Sequence, residues 1–222
     1  NVLQASKEIN NLSDIIITST SEVYGSGQEF PMTEGHPLNA QSPYSATKIS
    51  ADSISLSFYR SFDLPITILR PFNNYGPRQS NRAIIPTIIS QFFNNNSFIE
   101  IGNTNTTRDF TYVTDTAEAY FLSLGKKKYG EIYNISSGYE ISIEDLIKKI
   151  SSITNITKDI KTSDNRKRPI KSEVHRLLGD SNKFRNLTQS MVLYEYQHEI
   201  YCSNIDPNRA YLGGRRQLFM YN

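Results

Sequence analysis

The sequence predicts an α/β fold built on a parallel sheet, and three stretches carry that expectation. Asp14-Ile15-Ile16-Ile17-Thr18-Ser19-Thr20 is a short, β-branched, nearly continuous apolar run, the pattern of a strand buried on both faces of a parallel sheet. Leu64-Pro65-Ile66-Thr67-Ile68-Leu69-Arg70 is a second such run, stopped by Pro71. Between them Ser45 to Phe62 contains neither Gly nor Pro. Although Ile54-Ser55-Leu56-Ser57-Phe58 alternates like a strand, the unbroken length decides for a helix. Strand, helix, strand in this order implies a right-handed parallel crossover.

The remaining elements follow in order. Asn1 to Asn10 reads as the end of an amphipathic helix, with Val2, Leu3 and Ile9 apolar and Asn10-Asn11 as the turn. Gly25 to Pro43 is rich in Gly, Pro, Asn and Ser and reads as a loop. Asn73 to Arg78 is turn-rich; a helix is expected around Ile84 to Phe93 and a strand at Phe98-Ile99-Glu100-Ile101. Asn103 to Arg108 reads as a polar loop. Thr114-Asp115 is the expected N-cap of a helix running through Leu124. Glu131 to Ile135 reads as a strand, and Ser142 opens a helix with Asp145 at capping-box spacing.

Bulk properties narrow the function classes. The 222 residues suffice for one sizeable domain or part of a larger one, with 37% hydrophobic content. A net charge of +2 gives no basis for nucleic-acid or membrane binding. A single cysteine, Cys202, excludes an internal disulfide and a cysteine-based zinc site, and His36, His175 and His198 lack metal-ligand spacing, so no metal is expected. No apolar run is long enough to span a bilayer and Asn1 to Asn10 is unlike a signal peptide, which makes the cytoplasm the default. The chain starts on Asn, as though in mid-element, and is expected to be part of a longer protein.

The chemistry-bearing feature is Tyr44-Ser45-Ala46-Thr47-Lys48. Residues four apart on a helix lie one turn above another, so the Tyr44 phenol and the Lys48 ammonium share one face. A free phenol has a pKa of about 10, and a nearby cation favours its phenolate, which can then take a proton from an alcohol. The first strand ends in Thr20-Ser21-Glu22-Val23-Tyr24-Gly25, and ligands of open α/β sheets bind beyond the carboxyl ends of strands.

These two features, together with Arg70-Pro71-Phe72-Asn73-Asn74-Tyr75-Gly76-Pro77-Arg78, resemble the extended short-chain dehydrogenase/reductase family acting on nucleotide sugars. The resemblance extends through Thr107 to Asp115 and Arg168 to Val174, and so covers Asn1 to about Leu187. His36 to Pro43 and Arg82 to Thr87 are most similar to N-acetylglucosamine-nucleotide 4,6-dehydratases of the legionaminic-acid type pathway. The implied fold is an incomplete Rossmann-type parallel sheet with a smaller C-terminal substrate-binding lobe. The implied division is residues 1–72 for the C-terminal part of the NAD-binding domain, 73–187 for a mostly substrate-binding lobe with returning Rossmann elements, and 188–222 for an unassigned tail.

The same resemblance implies roles. Tyr44 is the base for the sugar C4 hydroxyl; Lys48 supports it and holds the nicotinamide ribose; Thr20 hydrogen-bonds that hydroxyl. Ser19 and Pro71 join Tyr44 and Lys48 as expected NAD contacts. Glu22 removes the C5 proton once C4 is a ketone, so that the C6 hydroxyl leaves as water. Ser21 stands where well-known hexose dehydratases carry the Asp acid, and a serine hydroxyl is too weak to replace it except through a water relay. Uronate decarboxylases also carry Ser-Glu here, so decarboxylation stays open, as do 4-epimerisation and an inactive sugar-nucleotide-binding fragment. Asn73, Arg82, Arg108 and Arg168 are the expected contacts to a nucleotide-diphosphate sugar, the arginines suited to its diphosphate. A homodimer through the helix from Ser45 is implied too.

Two departures from the family stand out. No Gly-x-x-Gly-x-x-Gly turn precedes Thr20, and Gly25-Ser26-Gly27 lies after the strand, where it cannot be that turn. Weak or absent NAD binding by these 222 residues alone is the expectation. Beyond Leu187 the family continues with Gly-Trp, whereas this chain contains no Trp, and Gln189 to Asn222 resembles nothing recognised.

Overall fold

The computed structural model describes residues 1–166 and 172–188, together with the backbone at 201–202 and 212–213. In chain order the elements are α1 (Val2–Ser6), β1 (Ile15–Thr18), α2 (Pro43–Phe62), β2 (Ile66–Pro71), β3 (Asn73–Tyr75), α3 (Ile84–Phe92), β4 (Phe98–Ile101), β5 (Thr107–Tyr112), α4 (Val113–Ser123), β6 (Glu131–Ile135), β7 (Glu140–Ser142), α5 (Ile143–Thr154), β8 (Asp159–Thr162) and α6 (Asn182–Thr188). One turn of 3-10 helix, Ser21–Tyr24, follows β1.

β1, β2 and β6 form a parallel sheet in that spatial order, with Ile15 opposite Ile66 and Thr67 opposite Glu131. Successive side chains of β2 point to opposite faces. Ile66 and Ile68 pack with Leu56 and Tyr59 of α2, while Leu69 packs with Ala119 of α4 and Phe184 of α6. The sheet is therefore covered on both faces, and all of β2 is buried. The chain is α/β and Rossmann-like, as its sequence predicts. β1 departs from the expectation of burial on both faces: only Ile15 is buried and Thr18 is exposed. Its position at the edge of this sheet explains the difference, because no strand among the described residues pairs with its outer side.

A second body is built from β3, β5 and β7, with β3 parallel to β5 and β5 antiparallel to β7, and from the parallel pair β4 and β8. Its core joins Ile85, Ile88, Ile89 and Phe92 of α3 to Ile99 and Ile101 of β4 and to Leu146, Ile147 and Ile150 of α5. Those α3 positions follow the i, i+3, i+4, i+7 spacing of an amphipathic helix. The polar segment expected as a loop up to Arg108 enters β5 at Thr107, because Thr107 and Arg108 pair with Ser142 and Ile141.

Caps fix two helices. Ser42 Oγ accepts from the Ser45 N–H at 3.1 Å, Ser45 Oγ accepts from the Ser42 N–H at 3.1 Å, and Pro43 occupies the first turn, so α2 begins at a defined residue. Ser142 Oγ accepts from the Asp145 N–H at 3.0 Å at the start of α5, as the sequence predicts. The Thr114-Asp115 cap does not form. The helix starts two to three residues earlier, with Tyr112 at the cap position and no side-chain cap bond, and Asp115 lies buried in the first turn with Thr114 Oγ1 donating to its Oδ1 at 3.3 Å.

Candidate active site

β1 delivers Thr20 to the carboxyl edge of the sheet, where its Oγ1 accepts from the Glu22 N–H at 3.2 Å and caps the 3-10 turn. Gly25 ends that turn with φ of 61°, and a Cβ there would meet the Asn39 carbonyl oxygen at 2.5 Å, so the close return of the 25–43 loop requires glycine. His36 locks the loop: its Nε2 accepts from the Gln28 N–H at 2.9 Å and its Nδ1 lies 2.9 Å from the Pro37 carbonyl oxygen, the arrangement of a neutral imidazole. Ser21 is buried and Glu22 half-buried. Among the described residues the Glu22 carboxylate has no hydrogen-bond or ion-pair partner.

The same turn packs against α2. Tyr44, one residue into that helix, keeps half of its surface exposed, and the Lys48 ammonium lies 6.0 Å from the Tyr44 ring centroid. Lys48 Nζ donates to the Thr18 carbonyl at 2.9 Å. The expected group of Tyr44, Lys48, Thr20, Ser21 and Glu22 is thus gathered at one junction of turn and helix. Ser19 lies inside the protein, 3% exposed, with its hydroxyl donating to Asp52 at 2.9 Å. Pro71 is the buried last residue of β2.

Two residues on, β3 carries Asn73 into a cleft of about 490 Å³ lined by Asn73, Gln79, Arg82, Arg108, Arg166 and Glu173, among others. Three of the four expected ligand-binding residues therefore share one cleft; the fourth, Arg168, lies outside the described residues. Arg108 sits 3.5 Å from Glu173, and Arg166 sits 3.6 Å from Glu100. Gln79 Nε2 donates to the Asn74 carbonyl at 2.7 Å, which turns Oε1 away, and both Gln79 Oε1 and Asn73 Oδ1 are buried without a partner among the described residues. The cleft thus offers guanidinium groups for an anion and two acceptors for a donor.

Asp109, next to Arg108, is wholly buried. It accepts from the Ser137 hydroxyl at 2.6 Å and from the N–H groups of Ser137, Gly138 and Gly179 at 2.9, 3.1 and 3.1 Å. Burial pushes its carboxyl up to about 6, with those donors offsetting part of the effect. Asp115 is likewise pushed up to about 6 by burial.

Sequence reasoning missed Asp52, Arg166, Gln79 and Glu173. Asp52 had a signal, since Tyr44, Lys48 and Asp52 are spaced four apart on one helix face. Glu173 lay inside the stretch from Arg168 to Val174 that carries the resemblance, whereas Arg166 had no signal: tertiary folding alone brings it to the cleft. Among the described residues no group of three or more His, Cys, Asp or Glu could hold a metal ion, and no helix is long and apolar enough to cross a membrane.

A doubly covered parallel sheet with a Tyr/Lys helix at the end of its first strand defines the class, a Rossmann-like chain of the short-chain dehydrogenase/reductase type. Residues 1–191 match the family described as GDP-mannose 4,6 dehydratase, and the chain belongs to that family. It is 38% identical over 154 residues to the dTDP-D-glucose 4,6-dehydratase of Dictyostelium discoideum, covering 64% of this chain and 36% of that protein. Its fold matches the dTDP-glucose 4,6-dehydratase of Bacillus anthracis str. Ames in complex with NAD, with a TM-score of 0.77, 31% identity, and coverage of 85% of this chain and 59% of that one. It also matches the UDP-N-acetylglucosamine 4-epimerase of Methanobrevibacter ruminantium M1 in complex with UDP-N-acetylmuramic acid, with a TM-score of 0.76, 32% identity, and coverage of 84% and 60%. The chain spans less than two thirds of each of these relatives.

Proposed function

We propose that this chain is the catalytic-residue and substrate-binding part of an NAD-dependent nucleotide-sugar 4,6-dehydratase acting in the cytoplasm on an N-acetylglucosamine nucleotide. The observation that carries the reading is the position of Glu22: a carboxylate without a partner among the described residues, on the turn that Thr20 caps, against the helix that presents Tyr44 and Lys48. Three groups of these types beside one sugar ring are what oxidation at C4 followed by proton loss at C5 requires.

Tyr44 takes the C4 hydroxyl proton, Thr20 hydrogen-bonds the same oxygen, and Lys48 stands one turn along the same helix face. Glu22 then removes the C5 proton, made acidic by the adjacent ketone, and the C6 hydroxyl departs as water. Ser21 relays the proton for that departure through water. Lys48 suits a cofactor ribose as well: an ammonium has three donors, and among the described residues only one is engaged, at Thr18. Tyr44, Lys48 and the buried end of β2 at Pro71 would flank NAD, whereas the Ser19 hydroxyl is committed to Asp52. When bound, NAD supplies the acceptor and donor of the C4 and C6 hydride. Arg82, Arg108 and Arg168 bind the diphosphate and Asn73 the sugar.

The N-acetylglucosamine assignment is supported by the stretch from Arg82 to Thr87, which carries the subgroup resemblance and supplies Arg82, Ala83, Ile84, Ile85 and Thr87 to the cleft wall. A homodimer through α2 is supported by Ile54 and Phe62, which that helix leaves about half exposed. The Ser21-Glu22 pair favours a second reading, uronate decarboxylation, and the fold likeness to a 4-epimerase a third.

The test incubates the full-length protein with NAD and UDP-N-acetylglucosamine, GDP-N-acetylglucosamine, dTDP-glucose and UDP-glucuronate, and reads product mass. Loss of one water from an N-acetylglucosamine nucleotide is the expected result. Water loss only from dTDP-glucose would move the substrate, loss of carbon dioxide from the uronate would replace the reaction, and unchanged mass throughout would refute dehydration.

A further inference from the structure

We propose that the buried Asp52–Arg70 pair positions Tyr44, Lys48 and Thr20 relative to one another; the inference rests on the function proposed above. Asp52 lies one turn beyond Lys48 and two beyond Tyr44 on the same face of α2. It is 2% exposed, as is Arg70. Asp52 Oδ2 accepts from Arg70 Nε at 3.0 Å, from Arg70 Nη2 at 2.9 Å and from Ser19 Oγ at 2.9 Å. Arg70 Nη1 donates to the Tyr24 hydroxyl at 3.0 Å, and that hydroxyl donates to Asn134 Oδ1 on β6 at 2.6 Å.

Chain order gives this network its meaning. Thr18 holds Lys48, Ser19 is held by Asp52, Thr20 and Glu22 follow, and Tyr24 closes the turn on Arg70. The segment from Thr18 to Tyr24 is therefore pinned to α2 at its start and to β2 and β6 at its end, with Thr20 and Glu22 between the pins. Arg70 also lies three residues before Asn73, so the same pair ties the proton-transfer residues to the strand that enters the cleft.

Stability alone is a poor reason for this arrangement. A buried ion pair recovers little more than its desolvation cost, and apolar residues of similar volume often replace one without loss. What an apolar pair lacks is direction: a planar guanidinium with fixed donors sets the distance and angle between α2, β1 and the turn. Misplacing a reacting group by about 1 Å lowers a rate by roughly 10²-fold, so the pair acts on turnover.

The test uses the full-length protein with Asp52→Leu and Arg70→Met together, which removes both charges and leaves neither buried alone. We expect kcat to fall about 10²-fold with KM for the nucleotide sugar changed less than about threefold, the acid limb of the kcat–pH profile to move upward, and Asp52→Glu to recover part of the rate. Amide hydrogen exchange at residues 18–24 speeds up without substrate present, while β2 stays protected. A folded double variant with kcat, acid limb and exchange at wild-type values would overturn the proposal, as would a rise in KM that accounts for the whole loss. If circular dichroism shows the double variant unfolded, Ser19→Ala decides instead: a smaller kcat loss with the same upward limb supports the clamp, and an unchanged profile overturns it. Wild-type turnover tests the dehydratase reading separately, since the exchange measurement holds for any reaction using Tyr44.

Discussion

Asp52 in the sheet half and Asp109 at the root of the cleft are both buried carboxylates, and they are held in opposite ways, Asp52 through Oδ2 alone with Oδ1 unpartnered among the described residues. Asp52 faces a guanidinium and a serine; Asp109 faces one hydroxyl and three backbone N–H groups, with no cation among its bonds. The difference follows from what each half holds in place. The sheet half must fix side chains on different elements at set distances, and a charged planar pair does so. The lobe must close strand β5 against the 137–138 turn and Gly179, and a carboxylate gathering N–H groups does that while Arg108, one residue away, remains in the cleft wall. Changes in the sheet half should therefore act on kcat, and changes in the lobe on binding or stability.

The strongest break in that comparison is Tyr44→Phe, expected to lower kcat of the full-length enzyme by about 10³-fold, within the range for loss of a general base, with KM little changed in steady-state kinetics. Next is Asp109→Asn. Replacing an acceptor by an NH2 group that faces an N–H leaves a buried donor unsatisfied, at a cost of about 2 to 3 kcal/mol, read in urea unfolding; turnover per folded molecule should hold. Arg108→Ala comes third, expected to weaken nucleotide-sugar binding by about 1.5 to 3 kcal/mol, the loss of a charged hydrogen bond, in calorimetry with kcat nearly unchanged. A kcat loss as large as that of Tyr44→Phe would erase the division between the halves.

The smallest effect concerns pH. Burial holds the Asp115 carboxyl near 6 in the folded chain, above its unfolded value, so the folded state binds the proton more tightly. The stability this contributes is full below about pH 4, the unfolded carboxyl range, and is lost as pH rises through about 6. The stability gap between wild type and Asp115→Asn should narrow in favour of the variant across that window in urea titrations. A gap that widens with pH would contradict the sign.

The sheet half was the more legible part because its information is local. Two β-branched runs, an unbroken helical stretch from Ser45 to Phe62, and a Tyr/Lys spacing are all visible within about 60 residues, although the helix begins at Pro43, which was read as loop. The parts that sequence reasoning lost depend on tertiary partners. β5 was read as a loop at its start because Thr107 and Arg108 become a strand only by pairing with β7. Asp115 was read as a cap because its type fits that role, yet burial beside Tyr75 draws it into the first turn. The bond from the Ser19 hydroxyl was invisible too, because the carboxylate that accepts it is 33 residues away. The cleft arginines divide the same way: Arg82 and Arg108 sit in motifs, whereas Arg166 reaches the wall only through the path of β8 and the turn after it.

The most direct test of the central claim is proton exchange at C5. The full-length enzyme, NAD and the nucleotide sugar that loses water are incubated in heavy water, and the product is read by mass and NMR beside the Glu22→Gln variant. Deuterium entering C5 in the wild type, with the variant accumulating reduced cofactor but releasing no dehydrated product, is the result the proposed role of Glu22 predicts. Dehydration by Glu22→Gln at the wild-type rate, or wild-type product free of deuterium at C5, would contradict it.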